Sequence, residues 1–331
     1  MTYQRNPHLL LQPPNWLGDV IMAQPAMHAF VAGLKPARVS LYGRPWLADI
    51  LPFLNLPDAQ YESSLPKGAD TAVMFPNSFR AAWIASRSGA IRRAGFRGQW
   101  RRLLLTDAPA PRINLLTQHH RDYYLDLAEQ MGMAIGERGV SLSCSVEDIR
   151  AGQKKLIENG LSPESLIAIA PGAQFGGAKR YPVESWAYVA QWLSEQGYHI
   201  LVIGTPAEHN IGKQIISRCT GPAWNASGET TLRQALQLVT ASRILLSNDS
   251  GLMHVAAGIG KPVVAIFGAT DPARTSPSGS HVHILYHPAD CSPCLQRECS
   301  VPGQPCMGNV LPEDVRDACL KLLTSIIHKS T

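Results

Sequence analysis

The run Arg243-Ile244-Leu245-Leu246-Ser247 leads directly into Asn248-Asp249-Ser250-Gly251-Leu252-Met253-His254, and helical spacing follows over 252–259. An apolar run without polar alternation needs cover on both faces, the condition of a buried parallel strand between helices. The loop at its end points free backbone N–H groups and the positive end of a helix dipole at whatever binds there. It carries a carboxylate (Asp249), a hydroxyl (Ser250), a glycine that permits close approach (Gly251) and a histidine on the first helical turn (His254). That set suits a phosphorylated sugar, with N–H groups for phosphate and the carboxylate for sugar hydroxyls. It also suits a plain strand–helix turn with an Asp or Ser N-cap.

The same alternation recurs along the chain. His8–Gln12, Arg38–Tyr42 and residues 71–75 read as strands, with helical spacing at 19–33 and 118–131. A second series has strands at Leu166–Ala170, 199–203, 243–247 and 261–267, and helices at 183–196 and 207–217. Two βα series imply an α/β protein with two doubly wound parallel sheets, and 331 residues give room for two domains. The junction is expected within 141–163, with the amphipathic helix 146–159 in the second domain. The domains are therefore set at 1–145 and 146–331, within about ten residues.

Composition narrows the class. Apolar residues at 45% and charged residues at 17% indicate a globular chain rather than a disordered one. No basic stretch precedes an apolar core at the N-terminus, so no signal peptide is expected. No uninterrupted apolar run approaches the ~20 residues of a spanning helix. A cytoplasmic location is the expectation. Seven cysteines in a chain of this length do not make a secreted disulfide scaffold. The net charge of +5 is uneven: 71–106 holds no Asp or Glu but has Arg80, Arg87, Arg92, Arg93, Arg97, Arg101 and Arg102. Such a cluster attracts phosphates, carboxylates or an anionic membrane surface. No nucleic-acid-binding motif accompanies it, and nucleic acid is not an expected partner.

Ligands of open α/β sheets sit outside the carboxyl ends of strands. After the first strand comes Pro13-Pro14-Asn15-Trp16-Leu17-Gly18-Asp19, where Asp19 is either a general base for a substrate hydroxyl or a helix cap. After Leu166–Ala170 comes a glycine-rich loop from Pro171 to Pro182 with Gln174, Lys179 and Arg180, suited to a diphosphate or else an ordinary basic surface loop. Neither GxGxxG nor a Walker A sequence occurs, and no Asp-x-Asp pair offers a divalent metal to a nucleotide diphosphate. A departing diphosphate would then rely on protein cations and helix ends. Cys291, Cys294, Cys299 and Cys306 have the spacing C-x2-C-x4-C-x6-C, open to a structural zinc or iron–sulfur site or to a loop of reduced thiols.

Three ordered motifs carry a resemblance: Trp16-Leu17-Gly18-Asp19, the Pro171-Gly172 loop through Lys179-Arg180-Tyr181-Pro182, and Asn248 through His254. With Gly268-Ala269-Thr270-Asp271-Pro272, and His120 followed by Tyr124, they resemble glycosyltransferase family 9, the lipopolysaccharide heptosyltransferases. The likeness runs from about Gln12 to the C-terminal helix. It implies a GT-B fold, two Rossmann-like domains facing a central cleft, with the acceptor on the first domain and the sugar nucleotide on the second. The residue matching Asp19 is that family's proposed base, and the one matching Lys179 contacts the donor diphosphate. Asp249, Ser250, Gly251 and His254 match positions lining the donor pocket, although His254 suits a structural role equally. Glu208 matches a nucleoside contact more loosely. Gln174 and Arg180 are counted with the donor set, and Arg80, Arg93, Arg97 and His120 with the acceptor set. Tyr181 stands where many members have Trp, which keeps an aromatic packing role.

The implied reaction is inverting and metal-independent, with no cofactor required. Heptose moves from ADP-L-glycero-D-manno-heptose to the first heptose of the lipopolysaccharide inner core, on Kdo2-lipid A, with peripheral contact at the inner membrane. The alternatives are a family 9 transferase of heptosyltransferase I or III type, or a non-catalytic sugar-nucleotide-binding protein.

Overall fold

The computed structural model describes residues 7–327; the N-terminal stretch read for a signal peptide begins outside the described residues. The chain divides into two compact units, Met1–Ser143 and Cys144–Thr331.

The first unit contains β1 (His8–Gln12), α1 (Leu17–Leu34), β2 (Arg38–Tyr42), α2 (Leu47–Ile50), β3 (Ala59–Glu62), β4 (Thr71–Met74), α3 (Phe79–Arg87), β5 (Arg92–Ala94) and α4 (His120–Gln130). Its strands form a parallel sheet of order β3-β2-β1-β4-β5. β1 is buried at every position because helices cover both sides of it. α1 is long and apolar enough to cross a membrane by length and composition. Ten of its residues, from Val20 to Phe30, are nonetheless buried within the unit, so it is a core helix here. α4 packs alongside α1.

The second unit contains α5 (Val146–Glu158), β6 (Leu166–Ala170), α6 (Val183–Glu195), β7 (His199–Val202), α7 (His209–Ile216), β8 (Ala223–Asn225), α8 (Leu232–Ala241), β9 (Ile244–Asn248), α9 (Gly251–Gly258), β10 (Val263–Phe267), α10 (Pro272–Thr275), β11 (Val282–Tyr286), α11 (Pro305–Gly308) and α12 (Pro312–Ile327). The sheet order is β11-β10-β9-β6-β7-β8, again all parallel. Strand alternation divides its core in two. Ile167, Ile169, Leu246 and Ile266 face Trp186, Val189 and Leu193 of α6 and Val315 and Cys319 of α12. Ala168, Ala170, Leu245 and Phe267 face Leu238 and Val239 of α8 and Met253 and Ala256 of α9. Each buried Leu or Ile is worth about 1.5–3 kcal/mol relative to exposure, so a one-residue slip of a strand would exchange the two faces at great cost.

Strand order reverses between β1 and β4 in the first sheet and between β6 and β9 in the second. These reversals open the crevices where ligands of doubly wound sheets bind. The expected interior strands are all present. β3, β5, β8 and β11 have no counterpart among the sequence-derived strands, and these four lie at the sheet edges. Their half-exposed positions lack a continuous apolar run.

Candidate active site

At the crevice of the second sheet, the loops after β6 and β9 are joined by Asn248, the last residue of β9. It is fully buried; its Nδ2 donates to Pro171 O (2.5 Å), and its Oδ1 accepts from Tyr181 N (3.2 Å). One side chain thus ties both ends of the 171–181 loop to the strand. A buried polar group left without partners costs about 1–3 kcal/mol, so this staple holds only while all its bonds form. Within the loop, Lys179 Nζ lies 2.5 Å from Asp249 Oδ2, with only 12% and 6% of the two side chains exposed. Thr270 Oγ1, after β10, donates to the same carboxylate oxygen (2.5 Å). Phe175 lies beneath Lys179 and Arg297, 5.0 and 5.4 Å from its ring centre. Ser250 is the N-cap position of α9, and its Oγ is 3.0 Å from Ser247 Oγ. Gly251 opens the helix, and His254 is buried on its first turn.

Glu208 reaches the same rim from the turn after β7. Its carboxylate closes a capping box with Thr205, accepting from the Thr205 backbone N–H (2.8 Å) and hydroxyl. Its other oxygen is 3.8 Å from Arg180 Nη2. Gly172 makes room for this, since a Cβ there would stand 2.9 Å from Glu208 Cδ. Gln174 is exposed on the loop surface. The spacing Thr205-x-x-Glu208 is a capping-box signature in the sequence itself and could have identified this role.

The cysteine-bearing segment braces the same loop. Ala178 N–H donates to Arg297 O (2.9 Å), Gly177 N–H to Glu298 Oε1 (3.1 Å), and Gln304 Nε2 to Gly177 O and Ala178 O (3.1 and 2.8 Å). Gly176 has φ +156°, and a Cβ there would fall 2.1 Å from Arg297 O. No spacing rule in the sequence announces this contact. Of the two readings left open for the four cysteines, the described residues favour the loop of thiols: among them no group of three His, Cys, Asp or Glu side chains is placed to hold a metal ion. Cys306 is buried beside Gly268, Cys291 is exposed, and the Cys299 thiol bonds to Val301 O (3.4 Å). Burial raises the Cys306 thiol above its ordinary value, which favours a protonated, packed thiol.

In the first unit, α1 starts at Leu17 and its N-cap position is Trp16, which makes no side-chain cap bond. Asp19 therefore lies inside the first turn, at the strand-order reversal. Its carboxylate is about one-quarter exposed (26%), with His120 Nδ1 3.8 Å away on α4. Tyr124, one turn along α4, also meets it. Burial pushes the Tyr124 phenol well above its ordinary value, and the Asp19 charge and a hydrogen bond to Asp19 add to the shift. The phenol stays protonated and donates to the carboxylate. Phe75 stacks edge-on against Tyr124, ring centres 5.8 Å apart, and fixes that phenol. His120, expected among the acceptor contacts, thus lies beside the carboxylate itself.

The arginines separate into two groups. Arg93 donates to Leu104 O and Ala90 O (both 2.6 Å), and buried Arg101 to Pro76 O (2.7 Å) and Asn77 Oδ1 (2.6 Å). Both brace backbone. Arg92 pairs with Asp107 at 2.9 Å. Arg80, Arg87, Arg97 and Arg102 are exposed.

A carboxylate at the strand-order reversal of one Rossmann-like unit and a lysine–aspartate pair at that of the other are the parts expected of a GT-B glycosyltransferase. Residues 62–304 match the model of glycosyltransferase family 9 (heptosyltransferase), and the chain belongs to that family. It is a heptosyltransferase. It is 29% identical over 309 residues to lipopolysaccharide heptosyltransferase 2 of Salmonella typhimurium, covering 84% of this chain and 87% of that protein. It is 28% identical over 310 residues to lipopolysaccharide heptosyltransferase 2 of Escherichia coli K12, with the same coverage. The structure of E. coli ADP-heptose LPS heptosyltransferase II superposes with a TM-score of 0.79 at 25% identity, covering 96% of this chain and 99% of that one.

Proposed function

We propose that this enzyme moves heptose from ADP-L-glycero-D-manno-heptose to the first heptose of the lipopolysaccharide inner core, with inversion and without a metal ion. The first unit holds the acceptor and the second the donor. The observation that carries the reading is Asp19: a partly exposed carboxylate at a strand-order reversal, released from capping, bonded by Tyr124 and with His120 3.8 Å away.

Asp19 takes the proton of the acceptor hydroxyl as that oxygen attacks the anomeric carbon. ADP leaves from the opposite face, and negative charge grows on its diphosphate. Lys179 meets that charge by exchanging Asp249 for phosphate oxygens, and the N–H groups opening α9 add to it. Breaking a buried ion pair without replacement costs about 3–5 kcal/mol, so the exchange is favourable only when an anion replaces Asp249. Asp249 keeps its bond from Thr270 and becomes available to sugar hydroxyls. Exposed Arg80 and Arg97 meet phosphates and Kdo carboxylates of the acceptor. The reaction takes place in the cytoplasm, with the enzyme in peripheral contact with the inner membrane, where a Kdo2-lipid A acceptor resides.

The test is incubation with ADP-heptose and an inner-core acceptor bearing one heptose, in EDTA, followed by mass spectrometry. A gain of one heptose is expected. An unchanged acceptor with ADP still bound would redirect the assignment to another acceptor of the family.

A further inference from the structure

α3 is amphipathic in an unusual sense. Its inward face is Ala81, Ala82 and Ala85, all buried, while Phe79, Arg80, Trp83 and Arg87 point outward. At about 100° per residue these four outward positions fall within one arc of roughly 100°. The large apolar side chains of this helix are thus on its solvent side. Arg87 lies 5.6 Å from the centre of the Trp83 ring, so cation and aromatic form one surface.

The 3-10 turn Arg101–Leu103 packs on α3 and extends that surface. Trp100 is 85% exposed and Leu103 84%, with exposed Arg97 and Arg102 beside them in the chain. This exposure is built in. Trp100 has φ +61° and Gln99 φ +49°, a left-handed conformation that bulky residues rarely adopt and that persists only when the surroundings impose it. Buried Arg101 imposes it through its bonds to Pro76 O and Asn77 Oδ1, and Asn77 in turn donates to the Tyr123 hydroxyl. An inward Arg101 leaves Trp100, Arg102 and Leu103 outside.

Charge identifies what covers this face. No Asp or Glu occurs over 71–106, and the next carboxylate, Asp107, is neutralised by Arg92. Large apolar groups among cations, with no anion, match the interface of an anionic bilayer: Trp at headgroup depth, Leu in the acyl boundary, arginines on phosphates.

We propose that Phe79, Trp83 and Arg87 of α3 and the turn carrying Trp100, Arg102 and Leu103 form a wedge that docks the enzyme on an anionic bilayer surface, beside the acceptor-binding Arg80 and Arg97. The inference rests on the reading that the acceptor is lipid-anchored, and it names the surface that makes the peripheral contact.

The full chain is tested by co-sedimentation with vesicles of phosphatidylcholine alone and of phosphatidylcholine mixed with phosphatidylglycerol. Binding to the mixed vesicles, weakened by salt, is expected. The Trp100→Ser/Leu103→Ser variant should bind at least tenfold more weakly, and Arg87→Ser and Arg102→Ser about fivefold each. In all these variants transfer to a soluble, deacylated acceptor should be unchanged, while transfer to vesicle-embedded acceptor falls. Absence of binding to anionic vesicles, undiminished binding by the double variant, or equal loss on both acceptors would overturn the wedge. Failure of the functional reading shows separately: the unmodified protein would bind vesicles yet transfer nothing to the soluble acceptor.

Discussion

The two units end their central strands in loops of opposite character. Past β6 and β9 the polar groups satisfy one another: Lys179 with Asp249, Asp249 with Thr270, and Asn248 with both ends of the loop it staples. Past β1 the Asp19 carboxylate is a quarter exposed, with His120 at 3.8 Å, beyond hydrogen-bond range. The difference teaches how labour is divided. Under the proposed function, the second unit's site is prewired for a dianion that displaces one internal partner, Asp249, from Lys179. Under the same reading the first unit's base stays available to an incoming hydroxyl, and aromatic packing behind Tyr124 holds it in place.

The sharpest way to break this comparison is at the base. Asp19→Asn is expected to lower single-turnover transfer by about 10²–10⁴-fold, the range of general-base catalysis. A rate within tenfold of the parent would mean that Asp19 is not the base. The arginine cluster sharpens the comparison inside the first unit. Arg80→Ala with Arg97→Ala should raise the acceptor KM about tenfold and leave kcat nearly unchanged, as loss of uniform binding does. Arg93→Ala should instead lower Tm, because its guanidinium bonds backbone carbonyls. Steady-state kinetics and thermal melts on the same preparations separate the two roles.

The smallest effect concerns Asp148, another prewired group of the second unit. Burial works against its ionised form, yet bonds from Gln237 (2.7 Å), Arg233 (3.0 Å) and Ser145 hold it below its ordinary value of 3.8. A depressed folded-state value means that the stabilisation is present above pH 3.8 and lost as pH falls through the folded value. The Tm difference between the parent and Asp148→Asn should therefore be constant from neutrality to about pH 5 and shrink below pH 4. A difference that grows on acidification would reverse the sign.

What was legible in the chain was local. Interior strands such as Leu166–Ala170 are continuous apolar runs, and the loops after them carry unusual residues within a dozen positions. Edge strands such as Arg92–Ala94 lack that pattern because one side of each meets solvent. Asn248 was visible only as part of a motif; its partners lie 67 and 77 residues away, and no periodicity connects them. Charge counting found the arginine cluster but could not distinguish Arg101, buried under its own turn, from exposed Arg102. Cysteine spacing leaves a metal site and a loop of thiols both open, and it does not show that Cys306 packs into the core.

The division of labour is tested most directly by calorimetric titration of ADP into Asp19→Asn and Lys179→Met, each beside the parent protein. Asp19→Asn should bind ADP as tightly as the parent, while Lys179→Met should bind at least about tenfold more weakly, the loss of one charge-assisted contact. Equal loss in both variants, or full retention in both, would contradict it.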